Sequence, residues 1–453
     1  MTVATPSLTE QLAEVLARSV DDRDREVAAT HVEDWTGAVV AAAHRPEGEA
    51  VLGFTRSQRG AGATAVGSGE TSEAQAAFHN AALALALELD SSDRQARLHA
   101  GPVVIAAALA AAEATGASGT VLLDAVVRGY EAAARVGRSA GSAHYHYFHP
   151  TSTCGGFGAA AAVASVLGLG PAATAHALGI AGTTAGGFWQ VRMEPASAKL
   201  AHAGRAAESG ISGARLAAAG MTAPLRLLEG ERGFYAATAP DSVPAALVAA
   251  QTDRWLIHDS SLKPWACCRH AHASIDAALE LHSQLDGEPV SGATTHIYTD
   301  ALDFCDRVHP TTTGQARFSL QHVLACALID GNVPLSCFDE PALSRPDIVH
   351  LRPHIELRLD REIEAAYPES WGARVVVRTP SRTLLAIRDD AKGDPKLPMA
   401  GHDVREKTVT LLAAVTAPHL VEAVSGALDS LLEGAPTRDL SHVLRRLPVP
   451  SGY

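Results

Sequence analysis

Residues 139–191 read SAGSAHYHYFHPTSTCGGFGAAAAVASVLGLGPAATAHALGIAGTTAGGFWQV and contain no Asp, Glu, Lys or Arg. About 20 apolar residues are enough to span a bilayer, so a membrane segment is the first reading to weigh. It fares poorly here, because His144, His146, His149 and His176, Pro171 and many Gly, Ser and Thr residues interrupt the run. The stretch is expected instead to form the buried centre of a helical domain, or part of a subunit contact. Ser152 to Leu167 predicts a helix that stops at Gly168. Pro171 stands where a first-turn proline belongs and opens a helix to about Ile180.

Helical signals continue on both sides. Ser7 and Glu10 fit a capping box, with Leu8, Leu12, Val15 and Leu16 on one face. Further helices are predicted from about Pro102 to Ala114 (stopped by Gly116), from about Thr120 to Val136 (capped by Ser118) and from about Ala203 to Ala219 (ended by Gly220). No convincing strand precedes Trp255. After it the pattern changes. Thr294–Thr299 reads as a strand, and His354–Asp360 alternates apolar Ile355, Leu357 and Leu359 with Glu356, Arg358 and Asp360. Val375–Val377 and Leu384–Ile387 flank a hairpin turn at Thr379-Pro380-Ser381. Helices intervene at about Ala273–Leu285 and Ser319–Asp330, and the chain is helical again from about Val404. The expected organisation is an all-α part over 1–258, an α+β domain over 259–398, and helices over 399–453 that return to the first part and end in a short tail. A chain of 453 residues accommodates two or three domains of about 150 residues each.

Composition narrows the function classes. Hydrophobic residues make up 47% and charged residues 19%, far from a disordered composition. The formal net charge of −13 argues against binding nucleic acid, whose phosphates must be neutralised by Lys and Arg, and against an anionic membrane surface. A small anionic substrate remains compatible, because a pocket can be basic on an acidic protein. The six cysteines form no CxxC pair, and Cys267 and Cys268 are adjacent. Reduced thiols and a cytoplasmic setting are expected. The N-terminus carries an early acidic residue and no apolar h-region, so no signal peptide is evident.

Basic and histidine residues gather in four separated segments: Glu88–Pro102, His144–Gly156, Ser197–Arg205 and Lys263–His272. Lysine is scarce, with Lys199, Lys263, Lys392, Lys396 and Lys407 among 37 basic residues, yet two of the five lie in these segments. A compact ammonium binds a carboxylate as a point charge and shifts its pKa readily, unlike a guanidinium.

Five runs, in this order along the chain, together resemble the MmgE/PrpD family. They are His149-Pro150-Thr151-Ser152-Thr153-Cys154-Gly155-Gly156, Lys199-x-x-His202-Ala203-Gly204-Arg205, Leu228-Glu229-Gly230…Gly233-Phe234, Lys263-Pro264…Cys267-Cys268-Arg269-His270…His272, and Arg317-Phe318-Ser319. The resemblance implies a large all-α domain built from both chain ends and a smaller α+β lid domain, a homodimer, and no metal or organic cofactor. It also implies a lyase or isomerase acting on a small di- or tricarboxylic acid. Dehydration of the 2-methylcitrate type is the first expectation, with epimerisation or decarboxylation as alternatives and a non-catalytic anion-binding relative as a further one. Asp90, Arg94 and His99 match the first active-site segment, His149 the second, Lys199 the third, and Lys263, Arg269 and His272 the fourth. His322 sits where relatives often carry Tyr. Asp90, His99, His149, Lys199 and His272 are the expected catalytic residues, with Arg94, Lys263, Arg269 and His322 binding substrate. The sequence departs from the pattern at Asp90-Ser91-Ser92-Asp93, where paired aspartates are usual, and at Ala100, where proline is usual.

Proton loss beside a carboxylate needs a base poised near neutral pH and cations that hold the developing charge. His149, His99 and Asp90 can supply the base, Lys199, Lys263 and Arg94 the cations, and His272 a proton for a leaving hydroxyl. Plainer readings exist for each. His144-x-His146 and His270-x-His272 can be zinc ligands, as in a metal hydrolase, but no third-ligand spacing is recognisable. The Gly60–Ala65 run mimics a dinucleotide motif without a preceding buried strand. Cys154, Cys267 and Cys268 read as small buried residues rather than nucleophiles. Asp90 can serve as a cap. Tyr145, Tyr147 and Trp189 can be core residues, and His322 a satisfied core histidine.

Overall fold

The computed structural model describes residues 5–448 apart from 59, 195 and 250–253. The expected tail after the last helix lies mostly outside the described residues. Two compact units emerge: the chain up to Ser260 together with the chain from Ala400, and Ser261–Met399.

The first unit is built from helices, and its centre is the charge-free stretch. Gly155–Val166 is buried along almost its whole length. It packs against Gly119–Tyr147, Lys199–Ala218, Ala100–Thr115 and Pro171–Gly182. Small residues make this possible. A Cβ on Gly158 would stand 2.7 Å from the Gly129 carbonyl oxygen, and one on Gly204 2.6 Å from the Phe78 ring. The Gly/Ala richness is therefore the condition for backbones to approach this closely. The capping box at Ser7 and Glu10 forms as expected. Near the C-terminal end, Gly401–Ala413 packs on Asp22–Ala43, with the Thr408 hydroxyl donating to the Glu33 carbonyl at 3.1 Å.

Two departures from the sequence reading have clear causes. The helix expected to end near Val136 runs to Tyr147, broken only at Gly141, whose φ of 81° is left-handed. Asp241 caps the restarted turn by accepting from the Ser142 and Ala143 amides at 2.9 and 3.0 Å. A distant side chain thus supplies the restart, which no local signal announces. The second departure is a short antiparallel hairpin, Ala63–Ala65 with Gly69–Thr71, inside the part expected to be free of strands. Three-residue strands are too short to show period-2 alternation.

The second unit holds a four-stranded sheet in the order Ile355–Leu359, Gly292–Ile297, Ala373–Arg378, Thr383–Arg388. The first pair is parallel, and the other two are antiparallel. Helices His272–Ser283 and Leu320–Asp330 pack together, and the former lies against the two hairpin strands. The predicted strands and hairpin are all present, with ends moved by one or two residues. Among the described residues no helix is long and apolar enough to cross a membrane.

Candidate active site

Three of the four segments singled out in the sequence meet within the first unit. The first is a buried loop between helices Glu73–Ala86 and Ala100–Thr115. Lys407 anchors its start, donating to the Leu89 carbonyl at 3.0 Å and to Asp34 Oδ1 at 2.6 Å. The loop then folds back on itself, with mutual backbone hydrogen bonds between Asp93 and Leu98 at 2.8 and 3.2 Å. Its bends place Glu88 and Arg97 at φ of 52° and 51°, a left-handed conformation that costs residues with a Cβ. The result brings His99 Nδ1 to 2.5 Å from Asp90 Oδ2, an ion-pair contact that falls short of an aligned hydrogen bond. Arg94 is buried on the same loop.

His149 immediately precedes the short turn Pro150–Thr153, where the proline at the first position fixes the chain direction. Two backbone links hold the first and second segments. The His99 amide donates to Thr151 Oγ1 at 3.0 Å, and the His149 amide to the Gly187 carbonyl at 3.0 Å. The rings of His99 and His149 lie 6.4 Å apart. The Trp189 ring lies against His149, centroids 4.3 Å apart and tilted by 33°. The third segment opens helix Lys199–Ala218. His202, one turn after Lys199 and so on the same face, brings its Nδ1 to 3.2 Å from His149 Nδ1. Burial, with the nearby Lys199 ammonium adding to it, holds His149 well below the usual imidazole range. Burial and Lys199 also lower His202. Burial thus favours the neutral form of His149.

Lys199 pairs with Glu88, a residue that the sequence reading left without a role. Asp93 is engaged by Arg138 at 2.6 Å and by the Ala96 amide at 2.7 Å. Glu88, two residues before Asp90, is the second carboxylate at these three segments. His202, Trp189 and Glu88 are the residues missed by sequence reasoning. The i, i+3 spacing of Lys199 and His202 was a usable signal, whereas nothing local distinguishes Glu88.

The fourth segment belongs to the second unit. Lys263 and His272 are fully buried, and His272 Nε2 lies 3.3 Å from the Cys267 carbonyl. Arg269 forms a buried ion pair with Asp394, which also accepts from Ser261 Oγ at 2.6 Å and the Ala391 amide at 2.8 Å. That guanidinium braces the polypeptide. Both ring nitrogens of His322 are occupied, Nε2 by the Cys337 carbonyl at 2.7 Å and Nδ1 by Arg352 at 2.9 Å. Burial takes its pKa down to about 4, so it has the character of a satisfied core histidine.

The remaining candidates have structural settings. His144 bridges Thr153 Oγ1 at 2.7 Å and the Thr238 carbonyl at 3.1 Å. All six cysteines are buried and free of disulfides. Burial pushes the Cys154 thiol up to about 12, which makes it a poor nucleophile. Among the described residues no group of three His, Cys, Asp or Glu side chains is placed to hold a metal ion.

A helical unit that gathers His99, Asp90, His149 and Lys199, joined in one chain to an α+β unit, is the pattern of one enzyme class. Family comparison agrees: residues 7–246 match the MmgE/PrpD N-terminal domain and residues 265–428 the MmgE/PrpD C-terminal domain. The chain belongs to the MmgE/PrpD family. Among curated proteins it is similar to the cis-aconitate decarboxylase of Homo sapiens, 28% identical over 344 residues that cover 73% of this chain and 71% of the relative. It is also similar to the cis-aconitate decarboxylase of Aspergillus terreus, 26% identical over 395 residues covering 81% and 80%.

Proposed function

We propose that this protein is a lyase acting on a small di- or tricarboxylic acid by moving a proton at the carbon next to a carboxylate. The observation that carries the reading is the meeting of the His99–Asp90 pair, His149 with His202 against it, and the Lys199–Glu88 pair in one buried region. A neutral imidazole accepts the proton. A histidine backed by a carboxylate exchanges one in the opposite sense. An ammonium holds a substrate carboxylate and the enolate-like charge that develops on it. In this reading His149 is the base, His99 with Asp90 the second proton-transfer group, and Lys199 the clamp. The family pattern adds Arg94 and Lys263 as cations and His272 as proton donor to a leaving hydroxyl. Arg269, paired with Asp394, and His322, with both ring nitrogens engaged, act as scaffold. A homodimer without an organic or metal cofactor belongs to the same proposal.

Dehydration of a hydroxy-acid is the first form of the reaction. Decarboxylation is the second, favoured by the names of the curated relatives. Proton NMR in D₂O with 2-methylcitrate, citrate, cis-aconitate and iminodisuccinate separates them. Water loss supports the first form, carbon dioxide loss the second, and deuterium exchange alone an epimerase. Each signal should vanish in Lys199→Ala. Silence across the panel, with thermal shifts on adding the same acids, would replace the lyase with a non-catalytic anion-binding protein.

A further inference from the structure

The family pattern gives His202 no role, yet it makes the one side-chain hydrogen bond at His149 among the described residues. Two Nδ1 atoms 3.2 Å apart share a single proton, so one ring donates and the other accepts. The outcome decides which form of Nε2 His149 presents. That atom is buried and has no hydrogen-bond partner among the described residues. A buried N–H without an acceptor is rarer in proteins than an acceptor left unmatched. The favoured arrangement therefore puts the proton on His149 Nδ1 and leaves a lone pair on Nε2.

His202 is able to take the accepting role. Its own proton then resides on Nε2, and the ring lines a cavity of about 690 Å³ formed with Ser152, Gly187 and Ser209, ample for water to accept it. Two features hold the ring in place. Ser152 Oγ donates to the His202 carbonyl at 3.3 Å. Gly187, at a left-handed φ of 126°, passes so close that a Cβ there would stand 2.7 Å from Ser152 Oγ and 3.4 Å from His202 Nδ1. The ionisable groups acting on the pair are Lys199, on the same helix as His202, and His99.

We propose that His202 is a positioning residue that accepts the Nδ1 proton of His149 and thereby leaves the Nε2 lone pair as the base. This rests on the reading of His149 as the proton acceptor, but its first test needs no turnover. In protein labelled with ¹⁵N-histidine, long-range ¹H–¹⁵N correlation identifies the tautomer of each ring, and His149→Asn assigns the His149 signals. The expected result is His149 with its proton on Nδ1 at neutral pH. It should remain so in His202→Asn, whose amide oxygen can accept in place of Nδ1, and become a mixture or the other tautomer in His202→Leu. A wild-type His149 protonated on Nε2, or an unchanged tautomer in a folded His202→Leu, overturns the proposal.

Kinetics with whichever acid of the NMR panel is turned over provide the second readout. His202→Leu should lower kcat at least about tenfold with little change in KM, and His202→Asn should restore a substantial part. Equal losses in the two variants overturn the proposal. Full turnover in His149→Asn overturns instead the underlying reading of His149, whatever the tautomer.

Discussion

Glu88 meets Lys199 from a left-handed backbone, at φ 52°, and the two side chains form an ion pair that is largely withdrawn from solvent. The conformation is costly for a residue with a Cβ, and the chain that follows it is held by Lys407 at Leu89 and by the Asp93–Leu98 pairing. Lys199 is therefore aimed by a carboxylate 111 residues earlier in the chain.

Removing that carboxylate while keeping its shape isolates the charge. Glu88→Gln should lower the unfolding free energy by about 3 kcal/mol, since breaking a buried pair strands the remaining charge. Urea unfolding followed by circular dichroism measures it. A loss below about 0.5 kcal/mol would mean that Lys199 finds an equivalent partner.

Asp90 is expected to matter for rate more than for folding. Asp90→Asn should reduce kcat by about 10² to 10⁴, the usual worth of a positioned proton-transfer group. The NMR assay on the turned-over acid reads the rate, and an unchanged melting temperature shows that the fold is intact. Turnover within threefold of wild type would reduce Asp90 to a cap.

Stability should fall as the solution is acidified. Burial lowers His31 to about 3 and His79 and His322 to about 4. The folded chain refuses protons that the unfolded chain takes up below about pH 6.5. Stability is thus fully present above that value and is lost as pH drops toward 4, by about 1.4 kcal/mol per pH unit for each such histidine. Chemical denaturation at several pH values gives the slope. His79→Gln should make it shallower by about one proton, even though losing the contacts to Thr55 and Val66 lowers stability overall.

Two glycines should respond in opposite directions to alanine. A Cβ on Gly210 would overlap Ala159 and its backbone, so Gly210→Ala should cost about 1 to 3 kcal/mol. Gly53, in helix Glu49–Arg56, has nothing within 4 Å of that position, so Gly53→Ala should gain about 0.5 to 1 kcal/mol. Melting temperatures of the two variants settle both.

Arg269 and Asp394 should behave as one unit. In a double-mutant cycle with Arg269→Gln and Asp394→Asn, urea unfolding should show a coupling of about 2 kcal/mol. Independent effects would return Arg269 to the candidates for binding substrate.

What could be read in the amino-acid order was set by local periodicity and by residue type. The capping box at Ser7, the first-turn proline at Pro171 and the alternation around Leu357 each depend on neighbours within a few positions, so they survive without tertiary context. The same is true of the charge-free stretch, whose Gly and Ala richness already required close-packed helices, and of the five runs whose order carried the family resemblance.

Only the tertiary structure decided which polar groups remain available for chemistry. Asp93 and Glu88 are both acidic residues of one loop, yet Arg138 takes the first and Lys199 the second. Arg269 and His322 have the residue types of a binding site and are consumed by Asp394, Cys337 and Arg352. His202 is brought against His149 from 53 residues away. Hydrogen bonds and ion pairs reach only about 3 to 4 Å, and which groups come within that distance is a property of the packed chain. Sequence spacing specifies it only within a helix turn or a strand pair.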